Sequence, residues 1–421
     1  MGVKKMSFKD IVNKWCETNL ILRILIVGLG IGALLGIFVP QASGIGVLGD
    51  LFVGTLKAVA PVLVFLLVSS SLSKASEGIG SKFKICIILY ILSMILAGIV
   101  SVLMSFAFPV SLTFTTAAQM SAPASLGALF SDFIVSIVSN PVTAIMEGNY
   151  ISILFWAVCF GLIFRVTAGE NSIKVLRDCS DTVAKFIRGF IQLAPFGIMG
   201  LVFSAVSQNG IGIFTVYGKV MLLIVSCVLI VALVTDPAIC GFMLKRNPYP
   251  LVFTCIKESG ITAFFTRSSA ANIPINLRLC ERLGLDEDFY SVSIPLGATI
   301  NMEGATVTIT VLTLALCHTL GIGVSIPAAI ALCFIASLAA CGAAGVPGGS
   351  LLLIPMAAAF FGITSDVAMQ AIAIGFIISV VQDSFETALN STGDAIISST
   401  TEYYLREKRG EEVNFLGEFA K

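Results

Sequence analysis

The sequence predicts an all-α membrane protein with two re-entrant helical hairpins arranged as an inverted repeat. Three observations carry that prediction. The first is composition: of 421 residues, 57% are hydrophobic and only 12% charged, with a mean hydropathy of +0.99. Such a chain lacks the polar surface that a water-soluble domain needs. The second is a series of apolar runs near the roughly 20 residues that cross a bilayer core. The third is the map of basic residues between those runs, which alternates until it meets two segments that no single span explains.

The N-terminal segment carries Lys4, Lys5, Lys9 and Lys14 before any apolar run. The first run, Leu20–Val39, has no small-residue cleavage site and reads as a retained span. Val47–Leu72 and Ile85–Phe108 follow, then Tyr150–Phe164, Phe190–Ser207 and Val220–Thr235. Basic residues gather at Lys74, Lys82 and Lys84, at Arg165 through Arg188, and at Lys245 and Arg246. Pro40–Asp50 and Phe108–Asp132 hold none. Positive charge marks the cytoplasmic side, so both termini are expected there and the first six runs alternate across the membrane.

Leu251–Leu277 breaks the alternation, because Lys245/Arg246 and Arg278/Arg282 place both its ends on the basic side. Its Ser-Ser-Ala-Ala-Asn-Ile-Pro stretch, residues 268–274, is the expected turn of a first hairpin. Val292–Leu316 is the seventh crossing. Ile326–Phe361 is uncharged, too long for one span and interrupted at Gly342 through Gly349, which predicts a second hairpin from the opposite face. A last helix begins near Ala368. Broken helices in corresponding positions of two repeats point to a transporter's binding site.

Chemistry enters through acids without bases. From Leu283 to Leu405 there is no Lys or Arg, yet Glu303, Asp383, Glu386 and Asp394 sit in apolar helices. Buried carboxylates need compensation. Arg267 at the first hairpin tip is the nearest fixed base, so mobile cations and a substrate ammonium are the expected partners. Asp383, Glu386, Asn390 and Asp394, with Thr387 beside them, recur at helical spacing and line one face. Opposite them, Gly297 through Gly304 mixes Gly, Thr, Asn and an acid. That mixture favours an unwound stretch whose carbonyls suit a small hard cation. One histidine, His318, argues against His-based metal or acid–base chemistry. The eleven cysteines, without close CxxC pairs, read as packing residues. Balanced charge, 25 basic against 25 acidic residues, offers nothing to nucleic acid, and no cofactor is expected.

These residues resemble the dicarboxylate/amino acid:cation symporter family, the bacterial relatives of glutamate transporters. The resemblance rests on Thr266-Arg267-Ser268-Ser269, Pro295 through Gly304, Ala344-Gly345-Val346-Pro347-Gly348 and Asn390-Ser391-Thr392-Gly393-Asp394, in order, with the clear match over Leu251–Tyr404. It implies the glutamate-transporter-homologue fold: eight transmembrane helices plus the two hairpins, in a homotrimer of the inner membrane. Residues 1–19 would be a cytoplasmic segment and 20–245 mainly scaffold, with the third and parts of later helices joining the transport domain. The transport core would be 246–405, comprising hairpin 1 (251–283), a seventh helix (288–317), hairpin 2 (326–361) and an eighth helix (366–405). A tail, 406–421, would follow. The core would move as an elevator with the outer hairpin as gate.

The resemblance also assigns roles. Asp383 would take the substrate ammonium. Asn390 and Thr387 would take its carboxylate, with Ser268, Ser269 and the tip residues Ala344, Gly345 and Val346. One sodium site would use carbonyls of Gly297, Asn301 and Asn390 with the Asp394 carboxylate. A second would use carbonyls near Thr299 and from Ala340, Cys341 and Ala343, with Met302 close by. A third would involve Tyr90, Ser93, Asn301 and Glu303. Glu303 replaces the family's usual Asp, and Met94 interrupts the hydroxyls after Ser93, which bears on the ion count.

Two departures bear on the substrate. Where acidic-substrate members have Arg, this chain has Glu386, and their supporting Thr is Ala305. A carboxylate there repels an acidic side chain. The expected cargo is therefore a small neutral amino acid that can donate a hydrogen bond, as in the sodium/serine-threonine symporters, imported with sodium. Arg267 would neutralise Asp383 in the empty site or take part in gating. A proton- or sodium-coupled carrier of acidic solutes is the alternative of the same fold, and a passive channel the alternative of another class. An enzyme is not expected, because Asp383 and Asp394 lie about three turns apart, too far for a dyad.

Overall fold

The computed structural model describes residues 20–73, 81–113, 135, 137–343 and 348–420. Among these, every regular element is helical. The first helix, α1, runs from Leu20–Arg23 through a π stretch, Ile24–Ile31, into Gly32–Phe38. α2 is Gly46–Ser73, α3 Ser81–Ala107, α4 Pro141–Glu147 and α5 Tyr150–Thr167. The loop before α4 lies largely outside the described residues, as do the N-terminal segment and the Lys74 loop.

α6, Glu170–Ile191, occupies the stretch expected to be a basic loop. Its charges conceal a helical period: Leu176, Ser180, Ala184, Ile187 and Ile191 are buried while Lys174, Arg177 and Lys185 face outward. α6 bends by 57° into α7, Ala194–Asn209, just ahead of Pro195. α8 runs Ile213–Leu244 with a π turn at Val231–Thr235 before Asp236 and Pro237.

The first hairpin consists of α9, from Tyr249–Cys255 through a π turn at Ile256–Gly260 to Ile261–Thr266, and α10, Ser269–Arg282. The turn is two residues long. Arg267, at φ 51°, ends α9 in the left-handed region with its N–H on the Ala263 carbonyl (2.9 Å). Ser268 is extended, and its Oγ accepts the Ala271 N–H (3.3 Å) as an N-cap. The turn therefore falls earlier than the Ser-to-Pro stretch suggests, and Pro274 is carried inside α10. A strong N-cap starts the helix, and Pro274 near its beginning removes only one backbone bond.

α11, Glu287–Ile300, and α12, Glu303–Thr319, are collinear pieces separated by Asn301-Met302. The predicted unwinding is real but confined to those two residues. α13, Ile326–Ala340, leads to the second hairpin tip. The chain returns at Ser350–Leu353 as a 3-10 turn and continues as α14, Ile354–Ala359.

 The short α14, Ile354–Ala359, packs back against α13. Ala344, Gly345, Val346 and Pro347 at this tip lie outside the described residues. α15, Ser365–Lys408, is one unbroken helix of 44 residues.

Among the described residues, five helices are long and apolar enough to cross a membrane, or six with the bent α6–α7 pair counted as one. α11–α12 and α15 form the centre, since their apolar windows are 94% and 72% buried, more than those of the other long helices. α1, α2, α3, α5 and α8 surround them and expose large apolar side chains such as Leu51, Ile88, Leu103, Ile163 and Leu222. An apolar outer surface of this kind belongs in lipid.

Candidate functional site

α15 carries the site because its polar positions share one face. Asp383, Glu386, Thr387, Asn390 and Asp394 are all between 1% and 5% exposed, so they are sealed from solvent in this conformation. The facing wall is the Asn301-Met302 break and the start of α12. Gly304 makes that approach possible: a Cβ there would sit 2.6 Å from the Glu386 carbonyl oxygen. The Gly304 N–H, freed at the start of a helix, donates to Asn390 Oδ1 (2.7 Å). Asn390 Nδ2 points to Met302 Sδ (3.4 Å). One side chain on α15 thus satisfies the broken end of α12.

Asp383 sits between the two hairpins. Arg267 Nε lies 3.7 Å from its Oδ2, both side chains buried, and the Gly348 N–H points at Oδ1 (3.4 Å). Asp383 Oδ2 has no hydrogen-bond donor. At this spacing, with an effective dielectric near 20, the ion-pair attraction is about 4 kcal/mol before desolvation is counted. The long contact and the open oxygen leave room for a second cationic donor.

Glu386 is held differently. Its Oε2 accepts from Thr308 Oγ1 (2.7 Å), Ser350 Oγ (2.8 Å) and Gln382 Nε2, and Gln382 Nε2 also reaches Thr308 Oγ1 (2.8 Å). Donors from α12, the second hairpin and α15 converge on one oxygen. Such a carboxylate is stabilised without a fixed cation. Ala305, fully buried, stands one turn from Thr308 and adds no polar atom.

The predicted cation ligands fall into connected groups. Asn301 Nδ2 donates to Asp394 Oδ1 (3.2 Å), and Ser93 Oγ donates to Asn301 Oδ1 (3.2 Å). Gly297 lies against both Asp394 and Tyr90. Tyr90 Oη bonds the Ser293 carbonyl (3.1 Å) and Ser398 Oγ (2.9 Å), which turns it toward the Asp394 side of this group. Glu303 is fully buried with neither oxygen hydrogen-bonded to a donor, and Asp394 Oδ2 is likewise open. In the second group, Cys341 Sγ reaches the Ile300 carbonyl (3.5 Å), which brings Ala340, Cys341 and Ala343 toward Thr299 and Met302. Thr299 is exposed, and its hydroxyl bonds the Leu296 carbonyl (2.7 Å). Of the hairpin-1 residues, Arg267 is the one that reaches α15 by a side-chain ion pair. Ser269 is buried, and Ser268 caps α10.

Several residues escaped the sequence reading. Thr308, Ser350 and Gln382 surround Glu386, yet single hydroxyls and an amide in apolar helices carry little signal. Ser259, Asn272 and Asn276 lock hairpin 1 to Ser391 of α15. Asn272 Nδ2 donates to Ser259 Oγ (2.8 Å) and Ser391 Oγ (2.6 Å), and Asn276 Nδ2 to the Ser391 carbonyl (2.9 Å). Asp236 of α8 is fully buried in an apolar run. The rule that exposes Asp383, an acid stranded among apolar residues, would have found it. Among the described residues, no group of three or more His, Cys, Asp or Glu side chains is gathered as for a soft metal. The ligand atoms present are carboxylate, amide, hydroxyl and carbonyl oxygens, which suit small hard cations.

Comparison with known proteins bears on what this arrangement carries. The model of the sodium:dicarboxylate symporter family matches residues 20–403. A serine/threonine transporter SstT of Bifidobacterium adolescentis is 50% identical over 414 residues, covering 98% of this chain and 96% of the relative. Proteins of the same name from Streptococcus agalactiae and Streptococcus thermophilus are 52% and 49% identical over 396 residues, covering 94% of this chain and 98% of each relative.

Proposed function

Because the chain belongs to the sodium:dicarboxylate symporter family, we propose that it is a secondary active transporter that imports serine and threonine together with sodium ions. The observation that carries this reading is Glu386. A carboxylate supported by three donors occupies the position next to Asp383 where a side-chain-clamping Arg would serve an acidic substrate. It repels aspartate and glutamate side chains and accepts the hydroxyl of serine or threonine. The names of the relatives, serine/threonine transporters, agree with that chemistry.

The residues divide the substrate among them. Asp383 receives the ammonium at its open oxygen, displacing the long contact to Arg267. Asn390 and Thr387 hold the carboxylate, helped by Ser268, Ser269 and backbone of the second hairpin tip. Glu386 takes the hydroxyl, and Ala305 leaves space for a small side chain. Sodium binds as co-transported cargo. One ion uses Gly297, Asn301, Asn390 and Asp394, a second Thr299, Met302, Ala340, Cys341 and Ala343, and a third Tyr90, Ser93, Asn301 and Glu303. Each brings positive charge to a region without fixed bases, so the ions and the ammonium stabilise one another's sites. This is the physical origin of coupling.

The fold proposed for this activity has eight transmembrane helices and two re-entrant hairpins, in a homotrimer of the inner membrane with cytoplasmic termini. Hairpins 1 and 2, α11–α12 and α15 move as one transport domain against the remaining helices, alternating access in elevator fashion. Supporting this, Asn272, Asn276 and Ser391 tie hairpin 1 to α15, and Asn390 ties α15 to α12. No catalytic step is part of the reading.

The test is uptake of labelled serine and aspartate by the purified protein in liposomes. Parental protein should take up serine under an inward sodium gradient and leave aspartate outside. Glu386→Arg should lose serine uptake and gain aspartate. Aspartate uptake by the parent, or serine uptake indifferent to sodium, would overturn the reading.

A further inference from the structure

We infer that Asp236 supplies a second carboxylate to the cation site at Glu303, so that one coupling sodium ion is held between α8 and α12. The inference rests on the symport reading and deepens it at one site. Asp236 follows the π turn Val231–Thr235 and precedes Pro237, which fixes it at an irregular point of α8 that faces the centre. It is fully buried, and its carboxyl lies within hydrogen-bonding range of the Glu303 carboxyl. All four oxygens of the pair lack a donor, and among the described residues no Lys, Arg or His faces either group.

Two carboxylates at that spacing in an apolar interior cannot both stay ionised without a positive charge between them. The surroundings are shaped for an ion. The Ser93 hydroxyl stands beside Glu303 and donates to Asn301 Oδ1 (3.2 Å), while Asn301 Nδ2 turns to Asp394 Oδ1 (3.2 Å). On α15, Gly393 cuts the wall back, since a Cβ there would sit 2.9 Å from Glu303 Oε1. The ligand set is all oxygen and therefore selects a hard cation. Sodium, the ion this carrier moves, is the hard cation available to it. Binding there also ties α8 to α12, so occupation of the site bears on how these two helices sit together.

The test uses the full-length protein in liposomes. Asp236→Asn should raise the sodium concentration for half-maximal serine uptake by about tenfold or more, as loss of a charged ligand does. It should also make the sodium dependence less steep. Half-saturating serine, measured at saturating sodium, should change by less than about threefold, a split that general loosening of the fold would not produce. A readout independent of transport is the rise in melting temperature that sodium alone gives the detergent-purified protein. That rise should shrink in Asp236→Asn. Asp236→Glu, which keeps the charge, should fold even where the amide does not, and its sodium half-saturation should move while serine's holds. An unchanged sodium titration in whichever variant folds overturns the inference, as does a dependence on pH in place of sodium. Sodium dependence in the parent with unchanged variants refutes Asp236 alone. No sodium dependence in the parent refutes the symport reading itself.

Discussion

Removing the guanidinium of Arg267 tests how the empty site manages its charge. Arg267→Met keeps the length of the side chain and deletes the cation 3.7 Å from Asp383, where both groups are about 95% buried. Truncating one member of a buried ion pair costs about 3–5 kcal/mol, because the other charge is stranded. On the proposed reading the substrate ammonium takes Asp383, so the same substitution costs less in the substrate-bound protein. If the difference is about 1.4 kcal/mol, serine binds about tenfold more tightly to the variant than to the parent. The assay pairs a thermal melt of detergent-purified protein with serine binding at fixed sodium. Without ligand the variant should melt well below the parent. At one saturating serine concentration both proteins are stabilised, the tighter-binding variant by about 1.4 kcal/mol more, so the gap should narrow by that amount. Equal destabilisation with and without serine, or serine affinity that falls, would show that Arg267 is not exchanged for the substrate ammonium.

Two further substitutions probe the same centre. Thr308→Val removes one of the donors to Glu386 Oε2 while keeping shape. It should lower serine affinity by about 1–2 kcal/mol, or roughly tenfold, while Thr308→Ser recovers most of the loss in an uptake titration. Gly304→Ala drives a Cβ into the Glu386 backbone at 2.6–2.7 Å. Overpacking there should cost about 1–3 kcal/mol, read as a lower melting temperature, and should lower uptake through the displaced Asn390 contact.

Much of the centre was legible because its residues violate the apolar rule. Asp383, Glu386, Asn390 and Asp394 stand out in α15 at helical spacing, and the structure buries them on one face. Gly, Asn and Thr around 297–304 signal a weak helix, and the break occurs at Asn301-Met302. The extent of that break was not legible. Asn390 captures the Gly304 N–H and Asn301 caps α11, so long-range contacts confine the unwinding to two residues. The hairpin turn falls at Arg267-Ser268 and not toward Pro274, because the Ser268 N-cap on Ala271 outweighs the proline as a local signal. The charges of α6 dominate its composition and hide the buried stripe that makes it a helix. Asp236 carries the same signal as Asp383, an acid stranded in an apolar run, but only the packing shows that its charged neighbour is Glu303. Thr308, Ser350 and Gln382 belong to separate elements, and no local pattern links them to Glu386.

α15 continues for 44 residues as a single helix, a length of about 66 Å at 1.5 Å per residue. Its middle carries the buried polar face of Asp383, Glu386, Asn390 and Asp394, and its far end is bolted to the α10–α11 connection. There Tyr403 Oη donates to the Leu283 carbonyl (2.7 Å) and Arg406 Nη1 to the Gly284 carbonyl (3.0 Å). A rod of this kind has no joint in which a push can dissipate. Whatever tilt the occupied centre imposes is delivered at once to the opposite end of the shaft, and a glycine pair engineered between the two would act as a clutch.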